Sequence, residues 1–239
     1  MSRQTIPSLT TDQMREVDRA MMQDIGITLV QMMELAGRHL ATLARERLGG
    51  AVRGKHIAVL AGRGNNGGGG LVAARRLVNW GAQVVVVLAA SPDDYRDVPA
   101  HQLAILQKMG VTLVDASARM PLQDADLILD ALIGYGLRGA PAGPAADLIR
   151  AANSSGVPIL ALDTPSGLDT STGEVFDPCI HAGATLTLAL AKTGLLNDTA
   201  RSVVGDLYVA DIGVPSQVYA KMGIELPDLF AETEIVRLT

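Results

Sequence analysis

The sequence predicts an α/β fold: a doubly wound, mostly parallel sheet in a three-layer α/β/α sandwich with N-terminal helices. Three observations predict it. Short aliphatic runs recur at 57–60, 84–88, 111–114, 127–129, 159–162, 186–190 and 207–209, and helical segments at 71–80, 100–109 and 144–155 lie between them. The runs are continuously apolar rather than alternating, as in strands buried on both faces of a parallel sheet. A glycine-rich turn, with six glycines between 62 and 70, joins the first strand to the next helix as in Rossmann-like sheets. At 239 residues and 48% hydrophobic content, with no linker, repeat or low-complexity block, residues 1–239 read as one domain with a substantial core.

The first elements are helices. Thr10 to Gln13 has the form of a capping box, and Met14, Val17, Met21 and Ile25 follow at helical spacing. A second box at 28–31 opens a longer helix with Met32, Ala36, Leu40 and Leu43 on one face. These methionines read as core filler. From residue 56 onward the chain alternates strand and helix.

Charge and composition exclude several classes. A net charge of −5 opposes a nucleic-acid surface, which needs clustered basic residues. A small anionic ligand stays compatible, because backbone dipoles act at short range while distant charges are screened over about 8 Å. No apolar run reaches the roughly 18 residues of a bilayer helix, so no membrane partner is expected. Asp12, Glu16 and Asp18 interrupt the segment where a signal peptide would need an apolar core, so the expected location is cytoplasmic. The single Cys179 excludes an intrachain disulfide and a cysteine metal cluster. The four histidines, His39, His56, His101 and His181, fall outside every motif and read as structural or solvated.

Function is read from where the unusual loops fall. Positions 62–70 follow the first strand, Asp130 to Gly136 the fourth, Asp163 to Asp169 the fifth, and Lys192-Thr193-Gly194 the sixth. In a doubly wound sheet these strand ends share one edge, where ligands bind beside the change of strand order. One composite site is therefore expected. Glycines free backbone N–H groups to approach an anion, and the following helix N-terminus adds partial positive charge. Asn65 and Asn66 add two side-chain amides. In Asp163-Thr164-Pro165-Ser166-Gly167, Pro165 fixes φ and Gly167 permits a tight reversal, which would hold Asp163 and Ser166 at the mouth. Each loop also has a plainer reading as turn geometry or helix capping. Lys192 is otherwise a solvated surface lysine. Arg63 is placed to meet phosphate, whereas Arg75 and Arg76 read as the solvent face of their helix.

Gly62, Gly64 and Gly67 form a literal Gly-x-Gly-x-x-Gly, so a nicotinamide-dependent dehydrogenase must be weighed. It fits poorly: the second strand ends in Leu88-Ala89-Ala90-Ser91, without an acid to hold the adenosine ribose. Hydride transfer also leaves the Asp163 turn unexplained.

Together these motifs resemble the NAD(P)H-hydrate epimerase family over nearly the whole chain. The matching stretches are Met14 to Asp18, Met33 to Gly37, Gly64 to Gly68, Asp130 to Gly139, Asp163 to Gly167 and Lys192 to Gly194. The resemblance implies an isomerase of nicotinamide nucleotide repair that interconverts the R and S forms of hydrated NADH and NADPH for a stereospecific dehydratase. The chain looks like the free-standing epimerase form, so the dehydratase would be a separate protein. By the same resemblance Asn65, Asn66, Gly67, Gly68 and Gly69 contact the hydrated dinucleotide, as do Gly134, Tyr135, Gly136, Leu137, Arg138, Gly139, Ala140 and Asp163. Asn66, Asp130 and Ser166 would coordinate a potassium ion, and their hard oxygen ligands suit it. The alternative for Asn66 and Asp130 is that they tie loops together by hydrogen bonds. Asp163 is the expected acid–base residue, with Lys192 orienting it or a water. Asp163→Asn is expected to slow interconversion and leave folding largely intact. The apolar N-terminal helices offer a surface for a homodimer.

One position departs from the family pattern Gly-Asn-Asn-Gly-Gly-Asp-Gly: this chain has Gly69 at the acid. Glycine keeps its backbone N–H but supplies no carboxylate for proton transfer or ribose recognition. Four consecutive glycines also make a more flexible loop, costing roughly 0.5–1 kcal/mol each to order relative to alanine. The competing reading is a catalytically impaired nucleotide-binding or interaction protein on the same fold.

Overall fold

The computed structural model describes residues 6–117 and 122–239. Its strands are β1 (His56–Ala61), β2 (Gln83–Leu88), β3 (Thr112–Asp115), β4 (Leu127–Ala131), β5 (Ile159–Leu162), β6 (Ala184–Leu188), β7 (Asp206–Ala210) and β8 (Ile235–Arg237). They form one sheet in the order β3-β2-β1-β4-β5-β6-β7-β8. Every neighbouring pair is parallel except β7 and β8, which run antiparallel. The order reverses between β1 and β4, which defines the switch point. The helices are α1 (Thr11–Arg19), α2 (Leu29–Arg47), α3 (Asn65–Asn79), α4 (Asp97–Lys108), α5 (Gly143–Ser154), α6 (Arg201–Val204) and α7 (Ser216–Lys221).

Alternation along β1 builds the layers. Ile57, Val59 and Ala61 share a core with Leu40 of α2, Leu71 and Leu77 of α3 and Leu103 of α4. Ala58 and Leu60 point the other way and join Leu148 and Ile149 of α5. Each fully buried Leu or Ile contributes about 1.5–3 kcal/mol, so covering both faces is what stabilises a continuously apolar strand. A third cluster places Met14, Val17 and Met21 against Leu190, Ile212 and Tyr219, and so docks the N-terminal helices onto the sheet edge.

Both capping boxes form, at Thr10–Gln13 and Thr28–Gln31. The apolar spacing after Thr10 does not survive to Ile25. Residues Ala20–Ile25 form a π-helix, whose wider turn shifts the phase and leaves Ile25 43% exposed. The sixth strand sits two residues earlier than its apolar run, because Ala189 takes φ 63° and ends the ladder. β8 has no counterpart among the expected strands; three residues are too short to carry a periodic signal.

The largest difference lies at the glycine run. It is helix, not loop: α3 begins at Asn65, with Gly64 as its N-cap. Gly67, Gly68, Gly69 and Gly70 are all buried. A β-carbon at Gly68 would sit 2.6 Å from the Met33 side chain, and one at Gly70 2.5 Å from the Ala131 β-carbon. The missing side chains let α3 lie close to both α2 and β4. The ordering cost of the glycines is therefore offset by packing rather than left in a mobile turn.

Candidate active site

Four strand tips meet around a cavity of about 660 Å³. β1 and β4 come first. A β-carbon at Gly67 would lie 1.7 Å from the Gly62 carbonyl oxygen, so the chain leaving β1 can fold onto its own helix only with glycine there. Asn65, Asn66 and Gly69 line the cavity, as does Arg63. The 15-residue α3 thus aims its N-terminus, with its free N–H groups, at the same space.

Behind β4 lies a buried polar knot. Asp130 is 0% exposed. Its Oδ1 accepts from Leu132 N at 3.1 Å and Ser166 Oγ at 2.7 Å, and its Oδ2 accepts from Ser166 N at 2.8 Å. Ser166 Oγ accepts in turn from Ile133 N at 2.9 Å. Burial pushes the Asp130 carboxyl up to about 6 against these hydrogen bonds, and no cation pairs with it among the described residues. Asp130 ties the β4 and β5 loops together through Ser166, whereas Asn66 takes no part in these hydrogen bonds. Asn66 stands nearer the opening: a β-carbon on Gly134 would lie 3.2 Å from Asn66 Cγ and 2.9 Å from Asp163 Oδ2. Its Nδ2 is buried without a hydrogen-bond partner.

Asp163 follows β5 directly at φ 67°, a left-handed conformation that costs a non-glycine residue free energy and is held by its surroundings. Its N donates to Leu186 O at 2.7 Å, extending the ladder one residue while the side chain turns to the cavity. Lys192 Nζ donates to Asp163 Oδ1 at 2.5 Å, and Tyr135 N donates to Oδ2 at 2.8 Å. Lys192 also donates to Leu188 O at 2.9 Å and Thr187 Oγ1 at 3.2 Å. It is 0% exposed, which removes the solvated reading. A parallel bridge between Leu9 and Lys192 pins that segment from the N-terminus. All three donor directions of Lys192 are used within the protein, and its side chain lies outside the cavity lining. The pairing also changes the expected behaviour of Asp163→Asn, which would leave a buried ammonium without a counter-charge.

The cavity gathers most of the expected binding residues and omits some. Gly134, Tyr135, Gly136 and Arg138 line it, whereas Leu137, Gly139 and Ala140 lie beyond its lining. Gly67 and Gly68 are internal packing positions of α3. Arg75 and Arg76 are not solvent decoration. Arg75 Nη2 grips Glu34 of α2 at 2.7 and 2.5 Å, and Arg76 Nη2 reaches it at 3.3 Å, so both hold α2 against α3.

Sequence reasoning missed the contribution of the N-terminal helices. Met14, Met32 and Met33 line the cavity, and so does Asp18. Tyr135 Oη donates to Asp18 Oδ2. Burial raises the Asp18 carboxyl above its ordinary range, and burial followed by the nearby Asp18 raises the Tyr135 phenol. A signal was present: Asp18 sits four residues after Met14 and three before Met21, a charge inside an apolar stripe.

Residues 29–194 match the family described as YjeF-related protein N-terminus. The NAD(P)H-hydrate epimerase of Dehalogenimonas lykanthroporepellens is 42% identical over 237 residues, covering 99% of this chain and 94% of that protein. The bifunctional NAD(P)H-hydrate repair enzyme Nnr of Moorella thermoacetica is 39% identical across 89% of this chain, which spans 41% of that longer protein. The crystal structure of yeast YNL200c superposes with a TM-score of 0.82 at 25% identity, covering 98% of this chain and 100% of that one. The chain therefore belongs to the YjeF-related protein N-terminus family, alongside relatives named NAD(P)H-hydrate epimerase.

Proposed function

We propose that the chain is an NAD(P)H-hydrate epimerase, an isomerase that interconverts the R and S forms of hydrated NADH and NADPH. The observation that carries this reading is the Asp163 carboxylate. Lys192 and the Tyr135 amide hold it at the wall of a cavity that Asn65, Asn66 and Gly134 also line. The names of full-length relatives point the same way. The dinucleotide would lie across the α3 N-terminus, its phosphates near Arg63, Arg138 and the free N–H groups.

The chemistry follows from the substrate. The reacting carbon carries both a hydroxyl and the ring nitrogen, so the nitrogen lone pair can expel the protonated hydroxyl as water. A planar cation remains, and water can re-add to either face. Asp163 moves a proton at the substrate hydroxyl or the incoming water, and its charge offsets the developing cation. Lys192 acts through Asp163 as a positioning residue.

The residues present fit a monovalent cation. Asp130 is a fully buried carboxylate lacking a cationic partner among the described residues, and it sits against Ser166 Oγ. Asn66 has an unpartnered amide end, and rotation of that amide exchanges nitrogen for oxygen. Asn66, Asp130 and Ser166 would hold potassium through hard oxygens, and the ion would supply positive charge beside the dinucleotide. Gly69 does not favour the catalytically impaired reading. A β-carbon there would meet Leu162 Cδ2 at 2.8 Å, so Leu162 fills the space and the Asp163–Lys192 pair stays complete.

The product would feed a dehydratase, the second activity suggested by the names of the bifunctional repair relatives. No helix among the described residues is long and apolar enough to cross a membrane. Met22, Ile25 and Val30 expose apolar surface at the N-terminal helices and are the proposed homodimer contact, to be checked by sedimentation. The test of function is direct: the protein is incubated with the R hydrate in potassium buffer and the S form is followed by chromatography. Accumulation of S above the protein-free rate is expected; its absence overturns the reading.

A further inference from the structure

We propose that Asp18 is a second acid–base group of the site, working on the face of the bound ring opposite to the one that Asp163 serves. The inference rests on the epimerase reading and deepens it. Inversion at one carbon needs water to depart from one face and arrive at the other. Asp163 cannot follow the reaction around the ring. Its two oxygens are fixed by Lys192 and by the Tyr135 N–H, and its backbone is locked in the left-handed region.

Asp18 reaches the same cavity from another element, α1. Tyr135 spans the two carboxylates, donating its main-chain N–H to Asp163 and its phenol to Asp18. Asp18 Oδ1 has no hydrogen-bond partner among the described residues, so one oxygen stays available to a ligand. The packing explains why a carboxyl is tolerated there. Met14 and Val17 of α1 and Met21 of the following π-helix are buried beside it, and the phenol satisfies one oxygen while the other meets the cavity. The charged and titratable groups facing Asp18 from neighbouring elements are Tyr135, Lys192 and Asp163. Burial raises its carboxyl, against the lowering effects of the Tyr135 hydrogen bond and the Lys192 charge.

The proton count balances. Asp18 gives its proton to the departing hydroxyl, and the carbon–oxygen bond breaks with its electron pair going to oxygen, releasing water. The nitrogen lone pair becomes the second bond of the carbon–nitrogen cation. Water then forms a bond from the other face, the π pair returns to nitrogen, and the Asp163 carboxylate takes the water proton. One proton passes from Asp18 to Asp163. Solvent restores both groups, and the reverse epimerisation exchanges their roles.

The experiment measures inversion and solvent-oxygen exchange together, in water labelled with oxygen-18. In Asp18→Asn, inversion should fall by about 10²–10⁴, the range for loss of an acid–base group. Label should still enter the epimer whose hydroxyl faces Asp163, because departure and return on that face need only Asp163. Tyr135→Phe removes the phenol that orients Asp18 and should lower inversion relative to exchange in the same direction by a smaller factor. It decides the matter alone should Asp18→Asn not fold. Equal loss of inversion and exchange in a folded variant, or inversion at the wild-type rate, overturns the inference. A wild-type protein that inverts nothing overturns the functional reading instead.

Discussion

The β1–α3 junction and the β5 turn occupy strand tips on either side of β4 and solve opposite problems. At the first, side chains are removed. Gly62 and Gly67 meet backbone to backbone, and Gly68, Gly69 and Gly70 leave room for Met33, Leu162 and Ala131. At the second, side chains are added. Asp163 and Lys192 form a buried ion pair beside the Asp130–Ser166 knot. Binding the backbone of a dinucleotide asks for exposed N–H groups and close approach, whereas moving protons asks for carboxylates held at fixed positions. Under the proposed function, one edge of the sheet would carry a recognition half and a chemical half.

Substitution at the chemical half should have the largest effect. Asp163→Asn is expected to slow inversion by about 10²–10⁴. It should also cost about 3–5 kcal/mol in denaturant unfolding, because Lys192 loses its counter-charge. Adding Lys192→Met should recover part of that stability and none of the rate. Full stability in Asp163→Asn alone would show that the pair is not energetically coupled. At the recognition half, Gly67→Ala should destabilise at the upper end of the roughly 1–3 kcal/mol of overpacking, since its β-carbon would strike the backbone of Gly62. A milder result would mean the β1–α3 junction can open.

Gly69→Asp tests both halves together. Its new side chain would press on the flexible end of Leu162, so the stability change should stay within about 1 kcal/mol, offset by better helix propensity. Inversion should change by less than about tenfold, or 1.4 kcal/mol; a larger gain would make the missing acid a catalytic deficit. The smallest effect concerns pH. Burial raises the Asp18 carboxyl, so its contribution to stability is fully present below the ordinary carboxylate range and is lost as pH rises through the folded value. Asp18→Asn should flatten the melting temperature across that window, and an unchanged slope would assign it to another group.

Much of this organisation was legible beforehand for a local reason. Residues 57–60, 84–88 and 159–162 are unbroken aliphatic runs, and burial on both faces is what such runs require. The two Thr-to-Gln capping boxes marked helix starts within a few residues. Where the reading failed, the deciding contact was distant. Glycines 67–70 looked like a loop because helix propensity is local, while the room they leave for Met33 and Ala131 is not. Arg75 and Arg76 looked solvated until Glu34 of α2 was brought against them. Methionines of α1 and α2 read as core filler, yet Met14, Met32 and Met33 also wall the cavity.

By itself the sequence determined strands β1 to β7, the main helices and the placement of polar and glycine-rich segments at strand ends, because hydrophobic period and turn chemistry act over a few residues. Tertiary structure alone decided the strand order and which charges meet. Lys192 reaches Asp163 across 29 positions and Tyr135 reaches Asp18 across 117. Such pairs form only when packing brings their elements together, and the cost of leaving a charge buried and unpaired then holds them there.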